Sequence, residues 1–139
     1  MKPYTRITCS PEETRALGAA LACELAPNGI LLLSGDLGAG KTVLVQGLAR
    51  GLGIPEREVQ SPTFTLVRGH RGESGKLWHL DLYRLTPADV AAQGFEELLA
   101  GPGVKAIEWA ERLPFPLPGA LRLRLRAMGE GEREISEAE

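Results

Sequence analysis

Cysteine is scarce in this sequence: the 139-residue chain has two, Cys9 and Cys23, with no Cys-x-x-Cys pair and no histidine cluster near them. A disulfide scaffold and a zinc site are thereby disfavoured, and a reducing cytosol is the expected compartment. The two histidines, His70 and His79, stand apart and are assigned no metal role. Lysine is also rare, four residues against twelve arginines, so the place of each lysine carries information. No apolar run reaches the roughly 20 residues that cross a membrane, and residues 1–10 lack the apolar stretch of a secretory signal. An excess of one charge is missing as well: 16 basic against 18 acidic residues give a net charge of -2. A free-standing DNA or RNA binder is usually basic, so neither DNA nor a membrane is an expected partner. What is present is 43% hydrophobic and 24% charged residues, enough to bury a core in one domain over residues 1–139. A disordered tail, a collagen-like fibre and a coiled coil are excluded.

Ser10-Pro11-Glu12-Glu13 predicts a helix start, with Ser10 capping, Pro11 in the first turn and Glu13 completing a capping box. Leu17, Leu21 and Leu25 follow at helical spacing until Pro27. Ile30 to Leu33 is unbroken and apolar, as in a parallel strand buried on both faces. A second helix carries Leu44, Leu48 and Leu52 on one stripe and stops at Gly53. Thr63 to Val67 and Leu77 to Tyr83 alternate as strands, and Gly69, Gly72 and Gly75 between them predict a mobile connection. Thr86-Pro87-Ala88-Asp89 opens another helix that Gly94 interrupts, and Val104 to Trp109 is a third apolar strand. After a proline-rich loop, Pro114 to Pro118, Leu121, Leu123 and Leu125 alternate with Arg122, Arg124 and Arg126 as a half-buried strand. A turn at Gly129 to Gly131 returns Glu132 to Ser136 as an edge strand. The sum is an α/β fold: a small, mostly parallel central sheet with antiparallel additions and flanking helices, its strand order left open.

One motif dominates. Gly35-Asp36-Leu37-Gly38-Ala39-Gly40-Lys41-Thr42 matches G-x-x-x-x-G-K-[ST] in full, with a buried strand before it and an amphipathic helix after it. The glycines let successive N–H groups point at phosphate oxygens, and the helix N-terminus adds its positive end. Lys41 supplies a point charge to the outer phosphates, and the Thr42 hydroxyl is placed to ligate Mg²⁺.

A nucleotide site also needs a carboxylate at a neighbouring strand end. Asp81, after Leu77-Trp78-His79-Leu80, resembles a Walker-B aspartate, although an exposed carboxylate at a strand end fits the spacing too. Alternation puts His79, Asp81 and Tyr83 on one side of that strand, and Trp78, Leu80 and Leu82 on the other. Glu108 ends its own strand, at the carboxyl edge where α/β sheets bind ligands. Spacing alone favours core packing for Trp109 over shielding of phosphates. Ser61-Pro62-Thr63-Phe64-Thr65 offers three hydroxyls, either as a sensor of a γ-phosphate or as an ordinary edge strand after a proline. The arginine row fits either a phosphate-binding or a solvated strand face.

GDLGAGKT (35–42), SPTFTLV (61–67), HLDLYRL (79–85) and IEW (107–109), in this order and spacing, resemble the TsaE (YjeE) family across nearly the whole chain. The resemblance implies a small P-loop NTPase fold and a cytoplasmic, Mg²⁺-dependent ATPase required for N6-threonylcarbamoyladenosine (t6A) in tRNA. It implies action with TsaD and TsaB through an ATP-driven reset or regulation, with tRNA reached through that complex. By motif match, the loop backbone from Asp36 to Thr42 and Lys41 hold the phosphates, Thr42 and Glu108 ligate Mg²⁺, and Asp81 is the Walker-B-like carboxylate. Ser61 to Thr65 is the switch-like segment, and Pro11 and Arg133 are further nucleotide contacts. Two other classes share the loop. A small-molecule kinase needs an arginine-bearing lid, for which residues 53–139 supply no evident helix pair. A nucleotide-gated binding switch with negligible turnover is the other and stays open beside a slow enzyme; the small-GTPase patterns N-K-x-D and D-x-x-G are absent, which favours adenine over guanine.

Overall fold

The structure, a computed structural model, describes residues 5–36, 38–60 and 66–138. Seven strands form one sheet: β1 (Thr5–Thr8), β2 (Ile30–Ser34), β3 (Val67–Gly72), β4 (Gly75–Asp81), β5 (Val104–Glu108), β6 (Leu121–Ala127) and β7 (Arg133–Glu137). Their order is β1-β7-β6-β2-β5-β4-β3. The strands from β6 to β4 run parallel, and the outer pairings β3–β4, β6–β7 and β1–β7 are antiparallel. The mixed α/β architecture matches the expected one. β7 is not the edge, because β1 pairs outside it; Thr5–Thr8 buries only Thr8 and so shows no apolar pattern to read.

Period-2 alternation gives the sheet two faces. Toward one face point Leu31, Leu33, Leu77, Val104, Ala106, Leu123 and Leu125, packed against α1 (Pro11–Leu25) and α2 (Lys41–Gly51). The two helices touch backbone to backbone, since a Cβ at Gly47 would lie 2.0 Å from the Arg15 carbonyl oxygen. Toward the other face point Leu32, Leu80 and Ile107, covered by α3 (Pro87–Gln93), α4 (Glu96–Ala100) and the apolar side chains of residues 109–120.

Local signals explain most element ends. Ser10 Oγ accepts the Glu13 N–H at 3.1 Å, but the Glu13 carboxylate reaches Cys9 N–H rather than closing a capping box on Ser10. Thr86 and Asp89 do form a reciprocal capping box on α3. The predicted mobile connection is a hairpin instead: Gly69 and Gly72 lie within β3, and only Glu73 and Ser74 turn the chain. Both glycines are there for closeness. A Cβ at Gly69 would strike the Trp78 ring at 2.9 Å, and one at Gly72 would meet the Leu52 carbonyl oxygen at 2.2 Å. The strand expected to run to Tyr83 stops at Asp81, whose Oδ1 accepts the Tyr83 N–H at 2.9 Å and turns the chain.

Candidate functional site

β2 ends in the middle of the sheet, and residues 35–40 carry its chain into α2. Gly35 (φ 139°) passes so close to β6 that a Cβ would lie 2.3 Å from the Leu125 carbonyl oxygen. Gly40 (φ 97°) precedes α2 and offers no side-chain cap to the first N–H groups of that helix. Lys41 is buried, and its Nζ donates to the carbonyl oxygens of Gly35 at 2.6 Å and Asp36 at 2.8 Å. Burial pushes the Lys41 ammonium below the ordinary lysine range, while the carboxylates of Glu108, Glu111, Asp81 and Asp36 pull it part of the way back.

The acidic side of the site comes from strand pairing. Asp81 and Glu108 are register partners at the carboxyl ends of β4 and β5, on the face shared by Leu31 and Leu33. Glu108 is 3% exposed. The Thr42 hydroxyl donates to its Oε2 at 2.9 Å, with Oε1 at 3.1 Å, and His79 Nε2 lies 2.6 Å from Oε2. Trp109, with φ 59°, turns out of β5 so that its ring stacks at a tilt on Tyr83, centroids 4.8 Å apart, and lies 4.5 Å from Lys41 Nζ. Trp109 thus does both things asked of it: it packs against the apolar cluster and also walls the cleft. That cleft, of about 430 Å³, is lined by Gly38 to Val43, Asp81, Tyr83, Glu108, Trp109 and Arg133.

The fold therefore brings together Gly38, Ala39, Gly40, Lys41, Thr42, Asp81, Glu108 and Arg133. Arg133 Nη2 donates to the Gly38 carbonyl oxygen at 3.1 Å, across 95 residues of sequence. Asp36 contributes its carbonyl oxygen to Lys41 and to the Ala39 N–H. Pro11 does not line this cleft; it borders a small adjoining cavity with Thr14, Gly40, Val43, Gly131 and Arg133. Leu37 and Ser61 to Thr65 lie outside the described residues. Arg122, Arg124 and Arg126 are exposed on β6, with Arg126 paired to Glu134 at 3.1 Å, and none lines the cleft. His79 is the residue that sequence reasoning missed. It is fully buried and bonded to Glu108, and the one available signal was its place on the Asp81 side of the strand.

The donor set suits a hard cation. A hydroxyl and a carboxylate already converge, a second carboxylate is its register partner, and Mg²⁺ commonly takes one or two carboxylates and completes its shell with phosphate and water. Residues 8–135 match the family model described as "Threonylcarbamoyl adenosine biosynthesis protein TsaE". The chain belongs to the TsaE family. Curated TsaE proteins, each called "tRNA threonylcarbamoyladenosine biosynthesis protein TsaE", are similar along most of their length. The one from Nostoc sp. is 44% identical over 88% of this chain and 78% of its own. Those from Bacillus subtilis (39%, covering 98% of this chain and 85% of the relative) and Treponema pallidum (40%, covering 95% and 98%) agree. The crystal structure of Bacillus subtilis YdiB superposes with a TM-score of 0.79 at 35% identity, over 98% of this chain and 84% of that one. Every candidate residue from Pro11 to Arg133 falls within the TsaE match, and the family is one of t6A biosynthesis on tRNA.

Proposed function

We propose that this TsaE-family chain is a cytoplasmic, Mg²⁺-dependent ATPase whose nucleotide state regulates the TsaB–TsaD complex during t6A formation. The observation that carries the proposal is the convergence of Lys41, Thr42 and Glu108 on one cleft beneath an uncapped helix N-terminus. The loop N–H groups and the end of α2 bind the phosphate chain. Lys41, buried and held by two carbonyl oxygens, exchanges them for phosphate oxygens; a charge-assisted hydrogen bond of this kind is worth about 2–3 kcal/mol. A neighbouring anion also favours its charged form, offsetting the burial that depresses it. Thr42 and Glu108 hold Mg²⁺, with Asp81 beside them, and the ion neutralises charge on the outer phosphates. Arg133 brings a second cation to the loop at Gly38. Trp109 and Tyr83 keep water from one wall of the cleft.

A regulator needs a segment that responds to the nucleotide. The hydroxyls of Ser61 to Thr65 are assigned that task from sequence, and both flanks tie to the site. The Val59 carbonyl oxygen accepts from Gln46 Nε2 on α2, and the Leu66 carbonyl oxygen accepts the Asp81 N–H. The net charge of -2, and a cleft whose lining among the described residues includes no arginine but Arg133, favour tRNA being reached through the complex rather than seized alone. Purified protein is expected to release phosphate from ATP in Mg²⁺ but not in EDTA. It is also expected to bind TsaB–TsaD with affinities that differ between ATP and ADP; a hundredfold preference corresponds to ~2.7 kcal/mol of coupling. Phosphate transfer to a small acceptor in place of hydrolysis would make it a kinase, and equal affinity in both nucleotide states would end the regulatory part.

A further inference from the structure

We propose that His79 is a positioning residue for Glu108, fixing the carboxylate in the orientation that receives Mg²⁺; this rests on Glu108 being the metal ligand proposed above. His79 has no exposed surface, and its Nε2 lies 2.6 Å from Glu108 Oε2. An ionised carboxylate only accepts hydrogen bonds, so the proton of this contact sits on Nε2 and the imidazole donates. The second ring nitrogen agrees. Nδ1 is buried with no hydrogen-bond partner among the described residues, and with the ring proton on Nε2 it holds only a lone pair, so no N–H donor is stranded there.

The sheet makes the contact rigid. His79 faces Ala106 in register, and Glu108 is the next residue of β5 on the same face, a diagonal neighbour within side-chain reach. The small side chain of Ala106 leaves the imidazole free to cross to Glu108. Anchored at Oε2, the carboxylate cannot swing away from the cleft. The other donor to it among the described residues, the Thr42 hydroxyl, is itself proposed to bind the cation. A ligand held by a buried imidazole is the arrangement by which outer residues tune metal affinity, commonly by ten- to a hundredfold.

The test uses the full chain with Mn²⁺ in place of Mg²⁺. Mn²⁺ binding at saturating ADP is read by electron paramagnetic resonance, and ADP binding in EDTA by calorimetry. His79→Phe is expected to weaken Mn²⁺ about tenfold or more while ADP binding in EDTA stays at the parent value. His79→Gln, which keeps an N–H donor at similar reach, is expected to recover most of the loss. Parent-like Mn²⁺ binding in His79→Phe would overturn the proposal. So would an equal loss with and without metal that His79→Gln does not repair, which is the mark of a purely structural histidine. A parent that binds ADP but no Mn²⁺ would overturn the metal assignment of Glu108 together with the positioning role; failure of the variants beside a binding parent overturns the positioning alone. Should the variants not fold, nitrogen-15 shifts of the parent imidazole decide: the proton on Nε2 supports the proposal, and the proton on Nδ1 overturns it.

Discussion

The two faces of β2, β5 and β4 are built from the same strands by alternate residues, yet they differ in kind. One face reads Leu32, Ile107 and Leu80 toward the carboxyl ends of the strands, with the buried Lys105 at the amino end of β5, and is sealed by α3 and α4. The other begins apolar with Leu31, Leu77 and Val104, and then turns ionisable at the carboxyl end, with His79, Asp81 and Glu108. Both faces hold the fold, the second through its packing on α1 and α2, and only the last residues of that second face carry the chemistry. Because period 2 separates them, each can be changed without the other.

The largest expected effect lies on the first face. Ile107→Ala removes a fully buried side chain and should cost about 2–5 kcal/mol of stability in denaturant unfolding. Nucleotide affinity of the folded fraction should stay within twofold of the parent; a matching loss of affinity would show that the faces are not separable. Lys41→Ala should do the reverse, weakening ATP binding by about 2–3 kcal/mol in calorimetry. It should leave the unfolding midpoint in place, since among the described residues the lysine ammonium bonds carbonyl oxygens of its own loop and lies over a ring.

Smaller effects sharpen the contrast at the cover of the first face. Thr86→Ala removes the N-cap of α3 and should cost about 1 kcal/mol of stability, with no change in nucleotide binding. The smallest effect is pH-dependent. The Thr86 main-chain N–H, and then its hydroxyl, hold the Asp89 carboxyl below its ordinary value of 3.8. A depressed carboxyl stabilises above the unfolded value and loses that contribution as pH falls toward the folded one. Asp89→Asn should therefore be slightly less stable than the parent at pH 7, and the two melting curves should converge below about pH 4.

Much of the site was legible because it is local. Gly35 to Thr42 is one continuous motif between a strand and a helix, and its meaning needs no partner strand. Asp81 and Glu108 stood out as carboxylates at strand ends. What stayed hidden depends on pairing: His79 meets Glu108 across 29 residues, and only the β4–β5 register brings them together. Gly69 and Gly72 looked like a loop because glycine is common in turns, whereas the reason for them is the Trp78 ring and the Leu52 carbonyl oxygen. β1 has a single buried residue to announce it and exists because β7 offers an open edge.

The central claim is that Glu108 and Thr42 make this cleft a site for a metal–nucleotide pair. Calorimetric titration of ADP into the parent and into Glu108→Gln, each in Mg²⁺ and in EDTA, tests it most directly. The parent should bind more tightly in Mg²⁺, and Glu108→Gln should lose that gain while keeping its affinity in EDTA. Titration curves that are the same in Mg²⁺ and EDTA for both proteins would contradict it and remove Glu108 from the metal site.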